Sequence, residues 1–194
     1  MTSTSRSLRW RSGEGDGLGI EHVELKIAEA NIAAEAVVIG GSGGDAWGAR
    51  WRIVVDPEWT STRSLHLTRL GGATIALRHD GYGEWSDGEG KKRKEFQGLS
   101  DCIVAGSPFG LVQIVKRLGA KAAKVQSLEV VAVSLPDLVV SRAALRLEPL
   151  DAGRRFRLTI ADVATEVEID GEGIVTRFGE AKMQAAAEPD VAAA

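Results

Sequence analysis

Glu84 and Asp101 are the carboxylates whose neighbours could do chemistry. Between Gly81 and Leu118 the chain sets them beside Tyr82, Trp85, Ser107, Phe109 and Arg117, with the basic run Lys91-Lys92-Arg93-Lys94 between them. Two carboxyl groups in one cleft, one of them desolvated, could hydrolyse a glycosidic bond. The same groups without such a pairing could hydrogen-bond the polar head of an amphiphile, with the rings taking its apolar part. The stretch holds no nucleophile–base motif, so no residue is assigned a catalytic role.

Other motifs have simpler readings. Gly40-Gly41-Ser42-Gly43-Gly44 matches the spacing of a nucleophile elbow. An elbow needs a helix after it, and here strand-like Trp47–Val55 follows, so a hairpin loop is read instead. Gly13, Gly15, Gly17 and Gly19 could cradle a phosphate only at a helix start. Glu14 and Asp16 among them would repel an anion, and a turn is read. His22, His66 and His79 show no metal-ligand spacing. His66, between Ser64 and Thr68, reads as a solvated strand position. Cys102 is the only cysteine, which excludes a disulfide within the chain and a thiolate cage. No metal or cofactor is implied.

Trp47 and Trp51 lie four residues apart on one strand, so both indoles point to the same face. They either fill a core between curved layers or line a groove. Trp85 beside Glu84 is open to both readings.

The elements around these residues are strands. Trp47, Ala49, Trp51, Ile53 and Val55 alternate with Gly48, Arg50, Arg52 and Val54. The same period runs through 63–70, 73–79, 155–160 and 163–169, and turn signals such as Gly71-Gly72, Asp87-Gly88 and Asp170-Gly171 separate the runs. Residues 122–134 and 137–147 read as two more strands around Leu135-Pro136-Asp137. An antiparallel meander with one dry face follows. One helix is expected over 108–118: Ser107 as N-cap, Pro108 at the first position, Gly119 after the end. Residues 1–7 are expected to be disordered, 8–182 to form one domain, and 183–194 to be a flexible tail.

The 194 residues carry a net charge of −3 and 44% hydrophobic residues, the balance of an ordinary globular domain. Nothing global favours nucleic acid. No run approaches the ~20 apolar residues of a membrane-spanning helix. The lone cysteine and the absence of a signal-like N-terminus suggest a reducing, cytoplasmic setting.

Taken in order, Arg9-Trp10, Gly81-Tyr82-Gly83-Glu84-Trp85-Ser86-Asp87-Gly88, Gly98-Leu99-Ser100-Asp101, Ser107-Pro108-Phe109, Lys116-Arg117-Leu118, Pro136 and Asp170-Gly171 resemble the bacterial "putative glycolipid-binding" family over roughly residues 8–180. Ile103 and Ile114 stand where the family pattern has an acid and a proline. The resemblance implies a mainly β, single-domain spiral β-roll: a long curved antiparallel sheet wrapped into a roll or half-barrel, with little helix. It also implies non-enzymatic binding of an amphiphile, a glycolipid or lipid-linked sugar, in an apolar cavity of that sheet. Trp47, Trp51, Tyr82, Glu84, Trp85, Asp101, Ser107, Phe109 and Arg117 are then the ligand-binding candidates. A carboxylate-dependent hydrolase of glycoconjugates and a protein-interaction scaffold are the alternatives.

Overall fold

Alternating apolar and polar residues give a chain built mainly of strands. The computed structural model describes residues 3–12, 18–41, 43–151 and 153–184. The strands in the first half are β1 (Thr4–Arg11), β2 (Leu18–Ile27), β3 (Ile32–Gly40), β4 (Trp47–Val55), β5 (Thr62–Arg69), β6 (Thr74–His79) and β7 (Trp85–Asp87). Those in the second are β8 (Cys102–Ala105), β9 (Gln126–Ser134), β10 (Val140–Pro149), β11 (Arg155–Ile160), β12 (Val163–Ile169), β13 (Val175–Phe178) and β14 (Ala181–Met183). One α-helix, α1 (Pro108–Leu118), lies between β8 and β9.

All fourteen strands form one curved, unclosed sheet, in the order β7-β6-β5-β4-β3-β2-β1-β14-β13-β12-β11-β10-β9-β8. The first and last strands, β1 and β14, meet in its middle, where Trp10 pairs with Met183 and Arg11 with Lys182. Every pairing is antiparallel except β8 with β9, which are parallel and joined through α1. A parallel neighbour needs a crossover of a dozen or more residues, and the helix supplies it.

The sheet has a dry face and a wet face. Ala49, Trp51, Ile53 and Val55 of β4 are buried, whereas Arg50 and Arg52 between them are exposed. The dry faces of both halves bury against α1. Pro108 to Val115 and Leu118 of the helix are all buried, so no side of its first two turns meets water. A helix buried on every side is a core helix, and its one polar residue there, Gln113, is hydrogen-bonded. Phe109 packs on Trp51 with ring centroids 5.5 Å apart. Gly110 is held close to β8: a Cβ there would sit 3.2 Å from Ile103 Cβ and 3.3 Å from the Val104 carbonyl oxygen. Gly110→Val is therefore expected to push α1 off β8 and cost about 1–3 kcal/mol, read as a lower urea midpoint.

The sheet spirals rather than closes. Edge strand β8 tucks against the start of β5, where the Cys102 amide donates to Thr62 Oγ1 at 2.9 Å. The Thr62 amide donates to the Ser100 carbonyl at 2.8 Å. Cys102, Ile103 and Val104 are buried whichever face they point to.

Two boundaries and one cap differ from expectation. β1 begins at Thr4, inside the segment expected to be disordered, because residues 4–7 pair with β2 in register from Thr4 with Ile27 to Ser7 with Glu24. The tail expected from 183 starts later: Met183 belongs to β14 and the Gln184 amide donates to the Arg9 carbonyl at 2.7 Å. The remaining tail, the Gly13–Gly17 turn and Ser42 lie outside the described residues. Ser107 precedes the helix as expected, but its hydroxyl does not cap α1; it donates to Glu21 instead.

Candidate functional site

The sequence candidates divide by burial. Trp51, Trp85, Asp101, Ser107 and Phe109 are all buried in the core around α1. Trp47 is half-buried, its indole laid across Gly40 on the neighbouring strand, a position only glycine leaves open. Tyr82 is 94% exposed, and the Glu84 side chain is exposed and paired with Lys92 at 2.7 Å. The structure therefore brings most of the candidates together, but as a frame for the helix.

That frame is a polar network. Arg117 grips Asp101 with two bonds, Nε to Oδ1 at 3.1 Å and Nη2 to Oδ2 at 2.6 Å. Gln113 Nε2 donates to Asp101 Oδ1 at 3.2 Å and to Thr62 Oγ1 at 2.7 Å. Burial pushes the Asp101 carboxyl above its ordinary range, and the Arg117 guanidinium pulls against that shift. Trp85 Nε1 donates to the Leu99 carbonyl at 2.8 Å, and its ring stacks beside His79 at 4.8 Å. Burial lowers the His79 imidazole below its usual value, against the raising effect of Asp80. Asp101 and Glu84 are thus committed to different cations in different settings. Neither is a desolvated acid facing a free partner, which is the arrangement two-carboxylate hydrolysis uses.

Glu21 was not among the sequence candidates. It is 1% exposed on the dry face of β2. Ser107 Oγ donates to its Oε1 at 2.6 Å, and its Oε2 has no partner among the described residues. Burial raises its carboxyl to about 8, the Ser107 hydroxyl offsetting part of the shift.

An open groove of about 430 Å³ lies where the C-terminal end of α1 meets the loops joining β10 to β11 and β12 to β13. Val115, Ala122, Phe156 and Ile169 supply apolar floor that continues into the core. Lys116, Arg154, Asp170 and Glu172 supply the charges. The acids are committed: Asp170 Oδ1 accepts the amides of Glu172 and Ile174, each at 2.9 Å, and Glu172 pairs with Arg6. Lys116 sits 5.8 Å from the Trp59 ring centroid, and neither it nor Arg154 makes an ion pair among the described residues. The rim therefore sets two cations without a carboxylate partner among the described residues, Lys116 beside Trp59 and Arg154, next to Asp170 and Glu172 over an apolar floor. No local motif announced this groove. Asp151-Ala152-Gly153 and Asp170-Gly171 read as turns, and only the topology carries them to the end of the helix.

A second groove, of about 390 Å³, opens on the wet face of β2 to β5 among His22, Glu24, Glu35, Val37, Arg50, Arg52 and His66. His66 is exposed there, as its place between Ser64 and Thr68 suggests. No group of three or more His, Cys, Asp or Glu with metal-binding geometry occurs among the described residues. No helix among them is long and apolar enough to cross a membrane.

The fold has a solved counterpart. A DUF1089-family protein from Pseudomonas aeruginosa superposes with a TM-score of 0.66 at 20% identity, over 87% of this chain and 91% of that one. At that identity the likeness speaks for the fold alone. No curated protein matches the chain significantly. The model of a family described as "Putative glycolipid-binding" matches residues 7–182. With the roll, the inserted helix and nearly the whole chain covered, this protein belongs to that family.

Proposed function

We propose that this protein is a non-enzymatic binder of an amphiphile of the glycolipid or lipid-linked-sugar class, held in the groove at the C-terminal end of α1. One observation carries the reading: an apolar floor of Val115, Ala122, Phe156 and Ile169 lies beside Lys116 and Arg154, cations with no carboxylate partner among the described residues. An acyl segment on the floor and an oxygen-rich or anionic head at the rim satisfy both halves. The volume of about 430 Å³ falls in the range of small-molecule sites. Ten buried methylenes contribute roughly 8 kcal/mol. Immobilising the ligand subtracts about 4 kcal/mol or more, so the acyl segment alone supports about millimolar affinity and contacts to the head must supply the rest. In this reading α1 fills the space along the roll axis, and Trp51, Trp85, Asp101, Ser107, Phe109 and Arg117 hold it there. The cytoplasm is the compartment assigned, in keeping with the single buried thiol of Cys102.

The test is retention of glycolipids by delipidated protein, measured by native mass spectrometry across a lipid panel. Ala123→Trp places an indole in the groove from an exposed position and should weaken retention by about tenfold or more. Retention undiminished in this variant would move the site elsewhere. No retention by the folded wild type from any lipid of the panel would end the reading.

A further inference from the structure

Trp59 stands in a backbone conformation that its side chain does not favour. It lies in the loop joining β4 to β5 with φ at 61°, the left-handed region that glycine enters readily and a bulky ring does not. The loop is built to hold it there. The Trp59 amide donates to the Asp56 carbonyl at 3.1 Å, and the Asp56 amide donates to the Ser61 carbonyl at 3.1 Å. The buried Asp56 carboxylate accepts the Thr60 amide at 2.7 Å, the Thr60 hydroxyl at 2.6 Å and the Ser61 hydroxyl at 2.8 Å. Strain of this kind persists only where surrounding bonds over-determine it, and it gathers at ligand clamps.

What the loop presents is a ring beside the groove at the end of α1. The indole is half-buried and packs against the core. Trp10 and Trp85 donate their indole N–H to backbone carbonyls, whereas Trp59 Nε1 donates to no acceptor among the described residues. Lys116 connects the ring to the groove. Its stem passes Gly173 on the groove wall, where a Cβ would lie 3.8 Å from Lys116 Cδ and Cε. Its ammonium ends 5.8 Å from the Trp59 ring centroid, near the outer limit of a cation–π contact. The charges around the ring do not select an anion. Exposed Glu58 precedes Trp59, and Asp170 and Glu172 line the same groove as Lys116 and Arg154.

We propose that Trp59 and Lys116 form a subsite that recognises the head of the bound amphiphile as an uncharged pyranose ring. The inference rests on the groove reading and adds to it the class of head. A pyranose has an apolar C–H face and an edge of hydroxyls. The face stacks on the indole, which offers an apolar body with an N–H donor at its edge. The Lys116 ammonium moves off the ring and donates to the hydroxyls. A quaternary ammonium head, the other common occupant of an aromatic face, is repelled by the Lys116 charge. A phosphate head has no apolar face to lay on the ring, and the neighbouring carboxylates oppose it.

Three lipids with the same single acyl chain test the proposal by native mass spectrometry of delipidated protein: a glucosyl monoacylglycerol, the monoacylglycerol itself and lysophosphatidylglycerol. Wild type is expected to retain the glucosyl lipid about tenfold better than either of the others. Trp59→Ala should lower the glucosyl lipid to the level of the monoacylglycerol and leave the monoacylglycerol unchanged. Trp59→Phe keeps a ring face without the N–H and should keep part of the preference. Lys116→Met, at a half-buried position, should cut the preference several-fold, and it decides the matter if thermal melting shows Trp59→Ala to be unfolded. A wild type that holds the glucosyl lipid no better than the monoacylglycerol overturns the subsite and leaves the groove reading standing. So does a preference unchanged in both Trp59→Ala and Lys116→Met. An equal fall for all three lipids in Trp59→Ala overturns it too, by making the ring structural, and stronger retention of lysophosphatidylglycerol does so by showing that charge selects the head. Retention of none of these, nor of any lipid in the wider panel, ends both readings.

Discussion

Replacing Asp101 by alanine should lower the thermal midpoint by about 10 °C. The side chain is 2% exposed and is the acceptor for both Arg117 and Gln113. Removing one partner of a buried ion pair typically costs about 3–5 kcal/mol, because the other charge is left without compensation. Arg117 is 24% exposed and can turn partly to water, which places this pair near the lower bound. At this chain length each kcal/mol moves the midpoint by about 2–4 °C. Gln113 adds to the loss, since its Nε2 keeps only Thr62. Asp101→Leu combined with Arg117→Met and Gln113→Leu should recover much of the stability, because the buried charge and its orphaned donors go together. A midpoint unchanged in Asp101→Ala would show that this network does not hold α1. The measurement is calorimetry at neutral pH.

Glu21→Gln should make the protein more stable than wild type at alkaline pH and leave it equal in acid. In the folded state the carboxyl is raised to about 8 by burial, from 4.5. Between those values the unfolded chain has released the proton that the folded chain still holds. Stability therefore falls as pH rises from 4.5, by about 1.4 kcal/mol per pH unit, and levels off above 8 after a loss of about 5 kcal/mol. The penalty arises because an ionised Glu21 has a single hydroxyl, that of Ser107, to satisfy it. Glutamine keeps the shape and the Ser107 bond and cannot ionise. Urea midpoints of the two proteins should coincide near pH 4 and diverge steadily to pH 8. Parallel curves would mean that Glu21 is not desolvated as the fold implies.

Glu21 left a trace in the sequence. Along β2 the inward positions are Glu21, Val23 and Leu25, with Ile20 pointing outward. An acid on the dry side beside an isoleucine on the wet side breaks the phase of the alternation. Ile20 has the opposite parity to Val23 and Leu25, and that parity is the sign of the inversion. That one-residue inversion marks both the buried carboxyl of Glu21 and the exposed Ile20.

Elsewhere the alternation was legible because one side of each strand is dry. The runs at 47–55, 63–70, 73–79, 155–160 and 163–169 are β4, β5, β6, β11 and β12 to within a residue or so. The helix was legible from Ser107-Pro108 and Gly119. β8 was not, because a four-residue strand buried on both faces has no period to read. Residues 4–7 carry no apolar signal and are ordered by pairing with β2 alone. For the site, most of the candidates fall between Gly81 and Leu118, close in sequence. The groove draws on residues 115–123, 153–156 and 169–173, which only the topology gathers.

The join of β1 with β14 has a consequence for biogenesis. The flank of β1 that will receive β14 has no partner from its own chain until residue 183 emerges from the ribosome. At ordinary translation speeds that wait lasts roughly 10 to 35 s. Throughout it the nascent first half presents an open strand border of the kind that recruits stray chains. Chaperone demand, and losses to aggregation when synthesis stalls, should concentrate in that interval.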